Sequence, residues 1–187
     1  RWTVFESSAS NLVANDTNNA SDIFVTNGTT ITRLSVSASG AEGSVSANSF
    51  DPTICGTGRK VVFTTENEWD EIDANGAEDV YVIDRDADAD GTFDEFSETG
   101  GVTTSIVSVS YNADTAEYDI SYLGANSGVI SDDCSKVAFV TDMDDCMREM
   151  GVGDLTVPKK VKRAAAAFYE RAGHYRTALA AADRGGV

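Results

Sequence analysis

Apolar and polar positions alternate in short runs along the first 140 residues of this chain. Trp2-Thr3-Val4-Phe5, Lys60-Val61-Val62-Phe63, Val80-Tyr81-Val82-Ile83 and Lys136-Val137-Ala138-Phe139 are rich in β-branched and aromatic side chains. Clusters of Gly, Asn, Asp and Ser separate them. Period-two alternation bounded by turn residues predicts half-buried β-strands. After Phe139 the pattern changes. Met143, Met147 and Met150 stand at i, i+4 and i+7, and Gly151 can stop that short helix. Thr156 can cap a second helix, with Pro158 tolerated in its first turn. Val161, Ala165, Phe168, Ala172, Tyr175, Leu179 and Ala182 then follow at alternating steps of four and three, one apolar helical seam.

The strand pattern repeats. Asp16-Thr-Asn18 with Asp22-Ile-Phe-Val25 corresponds to Asp73-Ala-Asn75 with Asp79-Val-Tyr-Val82, and Thr32–Ser37 to Ser105–Ser110. Ala47-Asn-Ser49 with Ile54 corresponds to Ala125-Asn-Ser127 with Ile130. The first strands recur after 58 and then 76 residues, because the second unit is longer. Each unit reads as strand, Asp/Asn loop, strand, turn, strand, loop, strand. Such a four-stranded sheet has the size of one propeller blade and needs neighbours to cover its faces. The expected fold is mainly β: a partial β-propeller over 1–140, with two four-stranded blades and the start of a third, and an α-helical C-terminal tail over 141–187. The paired loop carboxylates Asp16/Asp22 and Asp73/Asp79 read first as acceptors that hold a tight loop, and second as ligands of a cation.

The signature G-x-x-V-x-F at Gly58–Phe63, the D-x-N loop at Asp73–Asn75, D-[IV]-[FY]-V at Asp79–Val82 and R-[LV]-S at Arg33–Ser35 resembles the TolB-like, WD-type β-propeller repeats of envelope and secreted proteins. The resemblance implies a protein- or surface-binding scaffold in the periplasm or outside the cell. Missing blades or another chain would complete it. In the tail, Asp142 to Val161, above all Arg148-Glu-Met-Gly-Val-Gly-Asp-Leu155, and Ala167-Phe-Tyr-Glu-Arg171 resemble the C-terminal part of the ubiquinol–cytochrome c chaperone family. That resemblance implies a role in assembling the respiratory cytochrome bc complex, a cytoplasmic location and no catalytic residues. The two patterns meet at Ala138–Asp142, which suits either. The chain therefore reads as a chimera, by gene fusion or by joining at a shared short sequence.

Charge separates the same two parts. The 187 residues carry a net charge of −17. Residues 1–140 hold six Lys/Arg against 24 Asp/Glu, and 141–187 hold eight against seven. So acidic a surface argues against nucleic acid, whose phosphates need a basic one. No apolar run is long enough for a membrane-spanning helix. The chain begins at Arg1 beside a strand pattern, which reads as cut from something longer.

The densest acidic feature is Asp86-Ala-Asp88-Ala-Asp90-Gly91-Thr92-Phe93-Asp94, with spacing D-x-D-x-D-G-x-x-D. Alternate carboxylates converge on one side of a tight loop, and Gly91 permits the turn. Ca²⁺ takes about six to eight oxygens at roughly 2.3–2.6 Å. Asp86, Asp88 and Asp90 would ligate through carboxylates, Thr92 through its carbonyl, and Asp94 directly or through water. Ser97 stands where a helical Ca²⁺ loop carries its bidentate Glu, and a strand precedes the loop. The reading is a Ca²⁺ loop of a β-protein. Cys55 and Cys134 occupy similar places in the repeat, which leaves a disulfide or two buried thiols open. No nucleophile–base set can be drawn within 1–140, because the only histidine, His174, lies in the tail. The chain is expected not to be an enzyme. The leading function is a Ca²⁺-stabilised propeller module that binds a partner the sequence does not name. The alternative is an assembly chaperone acting through the tail.

Overall fold

The computed structural model describes residues 1–96, 99–112, 117–120 and 124–141, and the backbone of Arg163–Glu170 and Tyr175–Ala180. It is built from antiparallel strands, with no helix among the described residues. Strands β1 (Thr3–Ser7), β2 (Asp22–Thr26) and β3 (Ile31–Arg33) form one sheet in that order. A second joins β4 (Ser49–Ile54), β5 (Lys60–Thr65), β6 (Asp79–Asp84) and β7 (Thr103–Ile106). Strands β8 (Val109–Asn112) and β9 (Glu117–Ile120) make a hairpin. A further sheet runs β10 (Ala125–Ile130), β11 (Lys136–Thr141), β12 (Arg163–Glu170), β13 (Tyr175–Ala180).

The arrangement recurs from unit to unit. Strands β1, β5 and β11 are equivalent, as are β2 and β6, β3 and β7, and β4 and β10. Both β4 and β10 bulge at matching places, between Phe50 and Thr53 and between Asn126 and Val129. Asp51 (φ 53°) and Ser127 (φ 57°) take up the left-handed backbone of the extra residue in each. The sheets show the repeat and not a ring, so the propeller itself is not established.

One sequence expectation needs correction. The fourth strand of each sequence unit does not join its own sheet. It pairs with the first strand of the next unit, β4 with β5 and β10 with β11. The short turn from Cys55 to Arg59 makes neighbours of β4 and β5, whereas residues 34–48 carry the chain away from β3. The first unit accordingly shows three strands, not four. In the tail, the helix is not shown. Where its backbone is described it is extended: β12 pairs along β11 from Lys136↔Phe168 to Thr141↔Arg163, and β13 along β12. The expected Met143/Met147/Met150 helix and the Thr156 cap lie outside the described residues.

The second sheet is covered on both faces. Successive side chains of a strand point to opposite faces. Val61, Phe63, Tyr81, Ile83 and Ile106 pack on Ile23, Val25 and Leu34 of the first sheet. Val62, Val80, Val82 and Val107 pack on Ala125, Val137 and Phe139 of the third. Each fully buried Val, Ile or Phe contributes about 1.5–3 kcal/mol. This explains why β5 and β6 read as nearly unbroken apolar runs. A disulfide, Cys55–Cys134, joins the β4–β5 turn to the β10–β11 turn. It resolves the choice left open by the sequence.

Candidate functional site

The acidic loop leaves the end of β6 at Asp84, and Arg85 organises it. This guanidinium is fully buried. Nε and NH2 donate to the two oxygens of Asp94 at 2.7 and 2.5 Å, and NH1 donates to the Gly58 carbonyl at 2.8 Å. The Asp94 N–H donates to the Arg85 carbonyl at 2.9 Å, which closes the loop at its base. The Arg85 Cζ lies 4.1 Å from the Trp2 ring and 4.8 Å from the Phe93 ring, and the two rings stack on each other with centroids 5.6 Å apart. Trp2 therefore ties the start of the first sheet to a loop of the second. It also rests on Gly58 (φ +79°), where any Cβ would collide with the indole. A buried charge needs this completeness of pairing to be tolerated.

Within the loop, carboxylates cap backbone amides. The Gly91 N–H donates to Asp86 at 3.2 Å, and Thr92 N–H to Asp90 at 2.7 Å. Gly91 holds φ +94°, the conformation that the turn requires of it. Asp86, Asp88 and Asp90 each bring a carboxylate oxygen within 4.8 Å of the other two, with Asp86 buried and the other two exposed. Those three are thus brought together. Asp94 is not with them, since both of its oxygens are held by Arg85. Thr92 is tied into the loop by its N–H. Arg59 is paired to Asp84 at 2.6 and 3.0 Å, and the bond to Asp84, with Asp86 and Asp88 close by, raises its pKa. The sequence carried no signal for Arg85 as the clamp beyond its place next to the acidic run.

The loops before β2 and β6 share one hydrogen-bond pattern. Asn18 Nδ2 donates to Asp22 at 3.0 Å, and Asn75 Nδ2 to Asp79 at 2.7 Å. Ser35 Oγ donates to Asp22 at 2.5 Å, and Ser108 Oγ to Asp79 at 2.7 Å. Those hydroxyls accept the Ile23 and Val80 N–H groups, both at 3.0 Å. Asp22 and Asp79 are therefore structural acceptors. Burial pushes the Asp79 carboxyl up to about 6, against the bonds from Ser108 and Asn75. The serines were legible in the aligned R-L-S and I-V-S segments, but only as strand residues.

The units differ at their other carboxylate. Asp16 lies 3.3 Å from Arg33, which also meets Glu42 at 2.7 Å. Asp73 instead accepts the Tyr81 hydroxyl at 2.6 Å.

Residues 137–185 match the ubiquinol-cytochrome C chaperone family. The chaperone-like segment covers 49 of the 187 residues and begins inside β11. Val137 and Phe139 are at once its first residues and core of the β-sheet scaffold. No curated protein matches the chain. Among the described residues, no helix is long and apolar enough to cross a membrane.

Proposed function

We propose that the chain assists assembly of the respiratory cytochrome bc complex through its chaperone-like segment, carried on a scaffold of repeated β-sheets. The family match over 137–185 supports this reading. Its place is the cytoplasm or the mitochondrion, and neither this role nor the one below asks for catalysis. The test is capture of subunits of that complex from solubilised respiratory membranes by the tagged full chain. Scrambling Arg148 to Leu155 should abolish capture. Equal capture by the scrambled chain would move the binding surface out of the segment and end the reading.

A second reading has its own support in the Asp86/Asp88/Asp90 cluster and in the disulfide. On it, the repeated sheets are part of a propeller that binds a partner surface, and Ca²⁺ neutralises carboxylates that otherwise repel. Disulfides persist in oxidising compartments, which suits a periplasmic or extracellular place. Ca²⁺ at 100 times its Kd would add about 2.7 kcal/mol to stability. Ca²⁺ should raise the melting temperature, and Asp88→Ala should remove the rise. A parent protein indifferent to Ca²⁺ would exclude the site. The two readings want different compartments, as expected of a chimera. Long-read sequencing across the codons for 137–141 tests that: one continuous gene rules out an artificial join.

A further inference from the structure

The two repeated units solve one electrostatic problem in different ways. Asp16 and Asp73 hold the same place, 57 residues apart. Phe24 faces Arg33 across β2–β3, and Tyr81 faces Ile106 across β6–β7, so Ile106 stands where the first unit has Arg33. Arg33 reaches Asp16 at 3.3 Å, Asp22 at 3.7 Å and Glu42 at 2.7 Å, and donates to the Asn15 carbonyl at 3.3 Å. The first unit therefore carries its own cation among its loop carboxylates.

The second unit has a fully buried Ile106 in that place. The Tyr81 hydroxyl serves only Asp73 Oδ2, and it accepts the Trp69 and Asp70 N–H groups at 3.2 Å. Asp73 is 5 % exposed, and its Oδ1 is buried with no hydrogen-bond partner. Asp79 is engaged by Asn75 and Ser108. The carboxylates of Glu68 and Asp70 add their negative charge at Asp73, on top of its burial. An unpaired, desolvated carboxylate oxygen that also feels the charge of two more carboxylates is unfavourable unless something positive joins it.

We infer that the loop 66–79 binds a small hard divalent cation of the Ca²⁺ type at Asp73 Oδ1, where the first unit supplies a guanidinium. The loop offers oxygen ligands and no His or Cys, the donor set of Ca²⁺ rather than Zn²⁺. This site is separate from the Asp86–Asp90 loop and depends on neither reading above.

Terbium, a luminescent stand-in for Ca²⁺, tests it on the full chain. Trp69 is the antenna, since its own N–H bonds the Tyr81 hydroxyl that holds Asp73. The Asp88→Ala background takes the other loop out of the measurement. Tryptophan excitation should then give saturable terbium emission that Ca²⁺ displaces. Asp73→Asn should weaken binding at least tenfold, and Asp70→Asn severalfold, which keeps the test alive should the buried variant not fold. Loss of all emission in Asp88→Ala alone would make Asp73 a protonated carboxyl and overturn the inference, leaving the other loop's site standing. Undiminished affinity in the carboxamide variants would overturn it as well.

Discussion

Replacing Cys55 by Ser together with Cys134 by Gly removes the staple between two hairpin turns while disturbing little else. Cys55 is buried and accepts the Lys60 N–H at 3.3 Å, which a serine hydroxyl can also accept. Cys134 holds φ 61°, and the equivalent turn position, Gly58, holds φ 79°, so glycine suits that backbone. The bridge spans 79 residues. Closing a loop of that length removes denatured-state entropy worth about 4.5 kcal/mol at 25 °C. Glycine at a left-handed position returns roughly 1 kcal/mol. The net loss is then about 3.5 kcal/mol, and with an m-value near 2 kcal/mol/M the urea midpoint should fall by about 1.8 M. Tryptophan fluorescence and far-ultraviolet circular dichroism would follow unfolding of the oxidised parent, the reduced parent and the variant. The reduced parent should lie near the variant. Coincident midpoints for all three would refute the reasoning, because the staple would then contribute nothing that the packed valines do not.

Arg85→Met keeps the length of the side chain and strips its charge, leaving Asp94 and the Gly58 carbonyl without their donor. Breaking a buried pair this way should cost about 3–5 kcal/mol, read as a fall in melting temperature; a loss under about 1 kcal/mol would show that Trp2 and the loop hold without the clamp. Asp79, raised to about 6 by burial, binds its proton more readily folded than unfolded. Stability should therefore fall as pH rises from about 4 to 6, by up to about 3 kcal/mol, and Asp79→Asn should flatten that slope in urea titrations. Glu42 acts in the opposite sense: burial works against its charge, but bonds from Thr17 and Arg33 outweigh it and hold the carboxyl at about 2. Its stabilisation should be present above about pH 4.5 and lost as pH falls toward 2. Ser35→Ala and Ser108→Ala should each cost about 1–3 kcal/mol, by leaving a buried carboxylate one donor short; clearly unequal losses would break the equivalence of the two units.

The strands were legible because alternation is local. Val80–Ile83 and Lys60–Phe63 announce themselves whatever lies beside them, and the structure extends each by a residue or two to Asp79–Asp84 and Lys60–Thr65. Which strand lies beside which was not legible. The repeat boundary suggests that β4 closes its own unit, and only the short turn after Ile54 could have shown that it opens the next. The acidic loop divided in the same way. Asp86, Asp88 and Asp90 converge as their spacing requires, whereas Asp94 is drawn off by an arginine whose partners, Trp2 and Gly58, are distant in sequence. The two cysteines could not be joined from spacing alone, since a bridge depends on a Cα separation that only the packed turns set at 5.1 Å. In the tail, periodicity favours a helix, whereas the described backbone of Arg163–Glu170 pairs along β11, and no local pattern in the sequence announces a partner so far back in the chain.

Because β4 and β10 each pair forward with the following unit, the copies overlap like roof shingles. A cut between Ile54 and Lys60, where the sequence repeat ends, would sever a hairpin. A cut in the stretch 43–48 would leave every hairpin intact, and the bridge of Val36 to Glu42 as well. Duplication or deletion of this ancestry should thus be phased from the bulged strand of one copy to the bulged strand of the next, and any natural length variants should differ by whole pieces with those limits.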